Sequence, residues 1–217
     1  MLRAILWDND GVLVDTEGLY FQSCRQALER VGIALGEERF IDLFLKGSQG
    51  LSRIADQHGL DPDALDQVRT WRNARYTELL RQGVPVIDGV RTVLQQLHGT
   101  VRMGIVTSSR RAHFKTIHAG TGLLPYIDFV LTREDYKDSK PDPEPYLTAM
   151  RQNGLSAAEC VVVEDSDRGL RAALAAGLRC IVIPQGLTRG LDFTGALRVL
   201  DDIGQLPPLI DQLSKGD

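Results

Sequence analysis

The sequence predicts an α/β fold: a doubly wound, mainly parallel sheet with helices on both faces, interrupted early by an all-helical insertion. Three observations carry this. From about residue 84 onward, helical spacing alternates with short apolar runs, the order that builds a parallel sheet from strand–helix–strand units. Between residues 17 and 83 only helical patterns occur. One apolar run, RAILW at 3–7, stands before that stretch, separated from the strands it must join. The expected division is a core of residues 1–16 and 84–217 with a helical insert at 17–83.

The elements follow in order. RAILW is short, apolar and ends at acid, as a buried strand does. GLYFQSCRQALERVG has helical spacing and a glycine stop at Gly32. GEERFIDLFLKG and LSRIADQHG continue in the same style. DPDALDQVRTWRNARYTELLRQG opens with Asp61 as N-cap and Pro62 at the first helical position, and Gly83 lies just beyond its end. VPVIDG makes a turn into the helix VRTVLQQLHG. Then come the strand VRMGIVT, the helix RRAHFKTIHAG and the strand IDFVLT. DPEPYLTAMRQNG is a helix opened by an aspartate cap and Pro143. The strand CVVVED, the helix SDRGLRAALAAG, the strand RCIVIP and a short closing helix in DIGQLPPLIDQLSKG complete the chain.

Composition narrows the function. With 43% hydrophobic and 25% charged residues, the 217-residue chain can bury a real core. A net charge of −4 gives no overall attraction to nucleic acid or anionic lipid. The basic clusters RRAHFK and WRNAR therefore read as solvated helix faces. No window approaches the roughly 18 apolar residues of a membrane helix, and MLRAILW is too short for a signal peptide. Cys24, Cys160 and Cys180 are an odd, widely spaced set without a CxxC pair, which argues against disulfides and zinc and for a reducing cytoplasm. The expected state is a monomer. His58, His98, His113 and His118 lack metal-ligand spacing and read as surface or packing residues.

In open α/β sheets, ligands bind beyond the carboxyl ends of the strands. Those ends carry Asp8-Asn9-Asp10-Gly11, Thr107-Ser108-Ser109 and Glu164-Asp165-Ser166, and the loop YKDSKPDP adds Lys140. Clustered carboxylates repel one another and resist burial unless a cation joins them. An all-oxygen set suits Mg²⁺. Thr107, Lys140 and free backbone N–H groups suit a phosphate. A nucleophilic carboxylate can take a phosphoryl group, and a second one two residues on can protonate the leaving oxygen. DNDG does not begin an EF-hand, because positions six and twelve from Asp8 are Leu13 and Leu19 instead of Gly and Glu.

Four motifs in order, DNDGVLVDTE, IVTSS, SKPDPEPY and VVVEDSDRGLRAALAAG, resemble those of the haloacid dehalogenase superfamily, over essentially the whole chain. The most similar branch is the β-phosphoglucomutase-like phosphatases with a small helical cap. The resemblance implies a Rossmann-like core, Asp8 as nucleophile and Asp10 as general acid/base. It implies Mg²⁺ held by the Asp8 carboxylate, the Asp10 backbone carbonyl and Asp165, with Glu164 either ligating or supporting from behind. Thr107 and Lys140 would bind the phosphoryl group. Gly11, Ser108, Lys46, Gly47 and Arg72 fall on the substrate side, and Asp15 and Thr16 lead into the cap. Ser166 either caps the next helix or joins the metal's surroundings.

The implied reaction is Mg²⁺-dependent hydrolysis of a small phosphorylated metabolite, such as a sugar or polyol phosphate. Specificity would reside near Leu45–Gln49 and Arg72–Tyr76. A dehalogenase has no need of Asp10. A phosphonatase needs a cap lysine, and Lys46 is the sole one in the insert. A phosphomutase is the main alternative, but Tyr20 stands where those enzymes carry a cap histidine, and Gly50 or its neighbours where they carry an arginine. A non-catalytic module on the same fold is the other. One departure is left: the family usually places an apolar residue between the two acids, and this chain has Asn9.

Overall fold

The computed structural model describes residues 1–47 and 49–215. Strand β1 (Ala4–Trp7) is followed by four helices, α1 (Glu17–Glu29), α2 (Glu37–Phe40), α3 (Gly50–His58) and α4 (Pro62–Arg81). The helix α2 runs directly into a π-helical turn at Ile41–Leu45. Then come α5 (Val90–Leu97), β2 (Arg102–Val106), α6 (Arg111–His118), β3 (Phe129–Leu131), α7 (Glu144–Asn153), β4 (Cys160–Glu164), α8 (Asp167–Ala175), β5 (Arg179–Val182), β6 (Arg198–Val199) and α9 (Leu206–Lys215). Among the described residues no helix is long and apolar enough to cross a membrane.

The six strands form one parallel sheet in the order β3-β2-β1-β4-β5-β6. Strand side chains alternate between faces, and both faces are covered. Ile5, Trp7, Met103, Ile105, Val161, Val163 and Ile181 pack on one side against Val93 and Leu94 of α5 and Leu206 and Ile210 of α9. Ala4, Leu6, Val162, Cys180 and Val182 pack on the other against Tyr146 and Ala149 of α7 and Leu170 and Ala173 of α8. Burial on both faces is why these strands read as unbroken apolar runs. The four helices after β1 have their own core, with Cys24, Leu28, Phe40, Phe44, Ile54 and Val68 at its centre. Val14, Tyr76, Leu80 and Ile117 join that layer to the sheet domain.

Three local features differ from, or add to, what the spacing predicts. The strand β6 has no apolar run to announce it; it is a two-residue exposed edge. Pro143 occupies the N-cap of α7 instead of its first turn, and Asp142 accepts from the Glu144 N–H at 2.8 Å. The N-cap of α6 is Arg110, and the Thr107 hydroxyl accepts from the Ser109 N–H at 3.0 Å. Ser166 does cap α8, accepting from the Gly169 N–H, and Asp61 caps α4 through the Ala64 N–H.

Candidate active site

The end of β1 sets the site. The Asp8 N–H continues the sheet ladder to the Val163 carbonyl at 2.9 Å. The chain then turns sharply, and the Asn9 carbonyl accepts from Leu13 N–H at 2.9 Å and Val14 N–H at 3.2 Å. Gly11 lies in this turn with φ +83°, where a Cβ would also fall 2.2 Å from Asp165 Oδ2, so no larger residue fits. The outgoing and returning chains are then pinned together, with Val14 bridging Val86 and the Asp15 N–H bonding the Pro85 carbonyl.

Lys140 is the centre of the buried charge. Its side chain is 2% exposed, and its ammonium donates to Asp8 Oδ1 at 2.6 Å, Glu164 Oε1 at 2.7 Å and the Val106 carbonyl at 2.8 Å. All three of its hydrogens are used. Glu164 is fully occupied too. Oε1 also accepts from the Tyr146 hydroxyl at 2.8 Å, and Oε2 takes the Asp165 N–H, the Ser166 N–H and the Ser166 hydroxyl. The carboxylate lies in a niche made by Gly169, where a Cβ would fall 1.9 Å from Glu164 Cδ. Burial pushes Glu164 up, but the Lys140 ammonium outweighs it and the net direction is down. Asp8 and Glu164 hold the Lys140 pKa above its ordinary value despite burial.

The remaining acids are left with fewer partners. Burial, then repulsion by Glu164 and Asp10, raises Asp8 to about 7, with Lys140 pulling the other way. Burial, then Glu17, Glu164 and Asp8, raises Asp165 well above the carboxylate range. Glu17, at the start of α1, is raised by burial to about 7. Oxygens of Asp8, Glu164 and Asp165 lie within 4.8 Å of one another, and Asp165 Oδ2 is buried without a hydrogen-bond partner. An orphaned buried carboxylate oxygen in an all-oxygen cluster fits a hard divalent cation such as Mg²⁺.

Asp10 has the opposite environment. Thr16 Oγ1 donates to Oδ1 at 2.6 Å, and Oδ2 accepts from Thr107 Oγ1 at 3.0 Å, Ser109 Oγ at 2.9 Å and Asn9 Nδ2 at 3.3 Å. Thr107 is itself fixed by the Tyr136 hydroxyl, which donates to its carbonyl at 2.8 Å.

These groups floor a cavity of about 310 Å³ beneath the α1–α4 layer. Asp8, Asp10, Ser108, Lys140, Glu164, Asp165, Gly47 and Arg72 all border it. Ser108 Oγ is buried there without a partner. Gly11 and Thr107 lie just behind the wall, against Asp165 and Asp10 respectively. Lys46 departs from expectation: its ammonium is paired with Asp42 at 2.7 Å on the exposed side of the insert, so it does not reach the cavity. The stretch from Leu45 to Gln49 borders the cavity through Leu45, Gly47 and Gln49; residue 48 lies outside the described residues. Sequence reasoning did not single out Glu17, Ser109, Tyr146 or Arg168 for the site. Arg168 borders the cavity, its Nε buried and without a partner. Its signal was available in position alone, two residues beyond the cap of α8 at a strand end. The histidines also divide: His113 borders the cavity, and His118 hydrogen-bonds Asn9.

Known proteins resemble this chain in sequence and in fold. The family profile described as haloacid dehalogenase-like hydrolase matches residues 5–183. The chain is 31% identical to Protein CbbY of Cereibacter sphaeroides, over 95% of this chain and 94% of that one. It is 30% identical to the fructose-1-phosphate phosphatase YqaB of Escherichia coli (strain K12), over 82% of this chain and 94% of that one. A crystal structure of a CbbY variant from Rhodobacter sphaeroides in complex with xylulose-(1,5)bisphosphate superposes with a TM-score of 0.82 at 27% identity, covering 95% of this chain and 97% of that one.

Proposed function

The chain belongs to the haloacid dehalogenase-like hydrolases and is an enzyme of their phosphatase branch, and from that premise we propose that it is a Mg²⁺-dependent phosphatase that hydrolyses a small sugar phosphate through a phospho-Asp8 intermediate. The observation that carries the reading is the buried Lys140 held between Asp8 and Glu164, beside the unpartnered Oδ2 of Asp165.

In this reading Asp8 and Asp165 would hold the cation, which would supply charge neutralisation and orientation for the phosphoryl group. Glu164, with every lone pair engaged, supports Lys140 and the turn after β4 instead of ligating. Asp8 attacks phosphorus and the ester P–O bond breaks. The leaving oxygen takes a proton from Asp10. Water then attacks the phospho-Asp8, giving its proton back to Asp10, and inorganic phosphate leaves with Asp8 restored. Lys140 keeps the attacking carboxylate oriented, and Ser108 offers its free hydroxyl to a phosphoryl oxygen. The α1–α4 layer acts as the cap that excludes water, with Arg72 on its inner side. The substrate class is taken from the relatives, one named for fructose 1-phosphate and one bound to a xylulose bisphosphate.

Phosphate release from fructose 1-phosphate, xylulose 1,5-bisphosphate and glucose 1-phosphate, measured with Mg²⁺ present, tests this. At least one should be hydrolysed, and Asp8→Ala should abolish turnover. An Asp8→Ala protein that hydrolysed p-nitrophenyl phosphate at the normal rate would sink the mechanism. Isomerisation of glucose 1-phosphate without phosphate release would assign a mutase instead.

A further inference from the structure

Asn9 stands between the two acids and is fully buried. An amide there gives up its water and must find partners for its oxygen and its hydrogens. It finds both kinds. Nδ2 lies 3.3 Å from Asp10 Oδ2, and Oδ1 lies 2.7 Å from Nε2 of His118, a buried residue 109 positions away at the end of α6. His118 Nδ1 is 2.9 Å from the Thr121 hydroxyl, which the Leu123 N–H approaches at 3.4 Å.

The direction of this chain is fixed by chemistry. Asp10 Oδ2 accepts from the Thr107 and Ser109 hydroxyls as well, so Asn9 turns its N–H to Asp10 and its oxygen to His118. The imidazole then carries its proton on Nε2, and Nδ1 accepts from the Thr121 hydroxyl. The Leu123 N–H takes a remaining lone pair of Thr121. Every link therefore donates toward Asp10. Burial, set against weak attraction from Asp10, lowers the His118 pKa to about 4. The ring is thus neutral near pH 7, the state with one donor and one acceptor that this chain requires.

We propose that Asn9, oriented by His118 and Thr121, is a positioning residue that fixes the Asp10 carboxylate for proton transfer. The inference rests on the phosphatase reading for its kinetic part only. The other donors to Asp10, from Thr16, Thr107 and Ser109, are hydroxyls, which can rotate from donating to accepting. The amide N–H cannot. Asn9 thus keeps Oδ2 an acceptor and leaves Oδ1 as the oxygen that exchanges protons. An apolar residue in its place would fill the same space without this constraint.

The experiment combines two readouts. Nitrogen-15 NMR of the imidazole in the wild-type protein should show the Nε2–H tautomer of His118 near neutral pH; a charged ring or the Nδ1–H tautomer overturns the relay, whatever the activity. Kinetics then test the role, since p-nitrophenyl phosphate has a leaving group that needs no proton and fructose 1-phosphate has one that does. Asn9→Leu should lower kcat/KM for fructose 1-phosphate by about tenfold or more, and for p-nitrophenyl phosphate by less than about threefold. His118→Leu should show the same split, and His118→Gln, which retains a donor to Asn9, should restore much of it. Equal losses on both substrates, or none on either, overturn the positioning role. A wild-type protein inactive on both substrates overturns the phosphatase reading and the kinetic role with it, while the tautomer still decides the relay.

Discussion

Replacing Lys140 with methionine should destabilise the protein far more than a surface substitution does, and by an amount that grows with pH. The side chain is buried and donates three hydrogen bonds, two of them to buried carboxylates. Methionine fills similar volume, so the loss is mainly electrostatic. Removing one partner of a buried ion pair costs about 3–5 kcal/mol, because the remaining charge has nothing to compensate it. Each kcal/mol lowers Tm by roughly 2–4 °C in a chain of this size, so a fall of roughly 6–20 °C is expected near neutral pH. The pH dependence is diagnostic. In the native protein the lowered pKa of Glu164 contributes stability that is present above its unfolded value and lost as pH falls through the folded one. Without Lys140, burial raises both Glu164 and Asp8, so the variant loses stability as pH climbs through their folded values. The gap between the two proteins should therefore narrow at about pH 5 and widen at about pH 8. Urea denaturation across this range measures it, and adding Glu164→Gln to Lys140→Met should recover part of the loss through coupling. A gap under about 1 kcal/mol at neutral pH, or one independent of pH, would refute the assignment of Lys140 as the counter-ion of both acids.

In EDTA, Tm should fall as pH rises from about 5 to about 8, because Asp8 and Glu17, both raised to about 7, must lose protons in the folded state. Millimolar Mg²⁺ should restore Tm most at the alkaline end; no effect of Mg²⁺ at any pH would argue against a cation at Asp8 and Asp165. Gly169→Ala, normally a stabilising change within a helix, should here cost about 1–3 kcal/mol and reduce activity, because the methyl group would enter the space of the Glu164 carboxylate. Thermal denaturation decides its sign.

How much of this was legible in the sequence depended on how local each cause is. Strands buried on both faces announce themselves as apolar runs, and acids placed directly after such a run can be assigned to a strand end without tertiary knowledge. The exposed pair Arg198–Val199 carries no such signal, because β6 exists only through its pairing with β5. The family resemblance put Lys46 on the substrate side, although Asp42 one turn earlier gives the i,i+4 partner that draws the ammonium outward. Tyr146 and Glu164 meet across 18 residues, and Asn9 and His118 across 109. Such pairings depend on where α6 and α7 pack on the sheet, which spacing along the chain does not encode. The oddity of Asn9 was visible, but its explanation was not.

The position of β1 at the centre of the sheet has a consequence for how the molecule is made. Its neighbours are β2 and β4, so Ala4 must wait for Arg102 on one side and Cys160 on the other. The helices between residues 17 and 81 are built mostly from nearby contacts and can assemble while the first strand is still unpaired. Asp8 is among the first residues to leave the ribosome, yet Lys140, Glu164 and Asp165 emerge more than a hundred residues later. A nascent or truncated chain lacking β4 therefore has Asp8 but no site around it. Chemistry becomes available only to a finished polypeptide, so hydrolytic activity doubles as a report on completed synthesis and closure of the sheet.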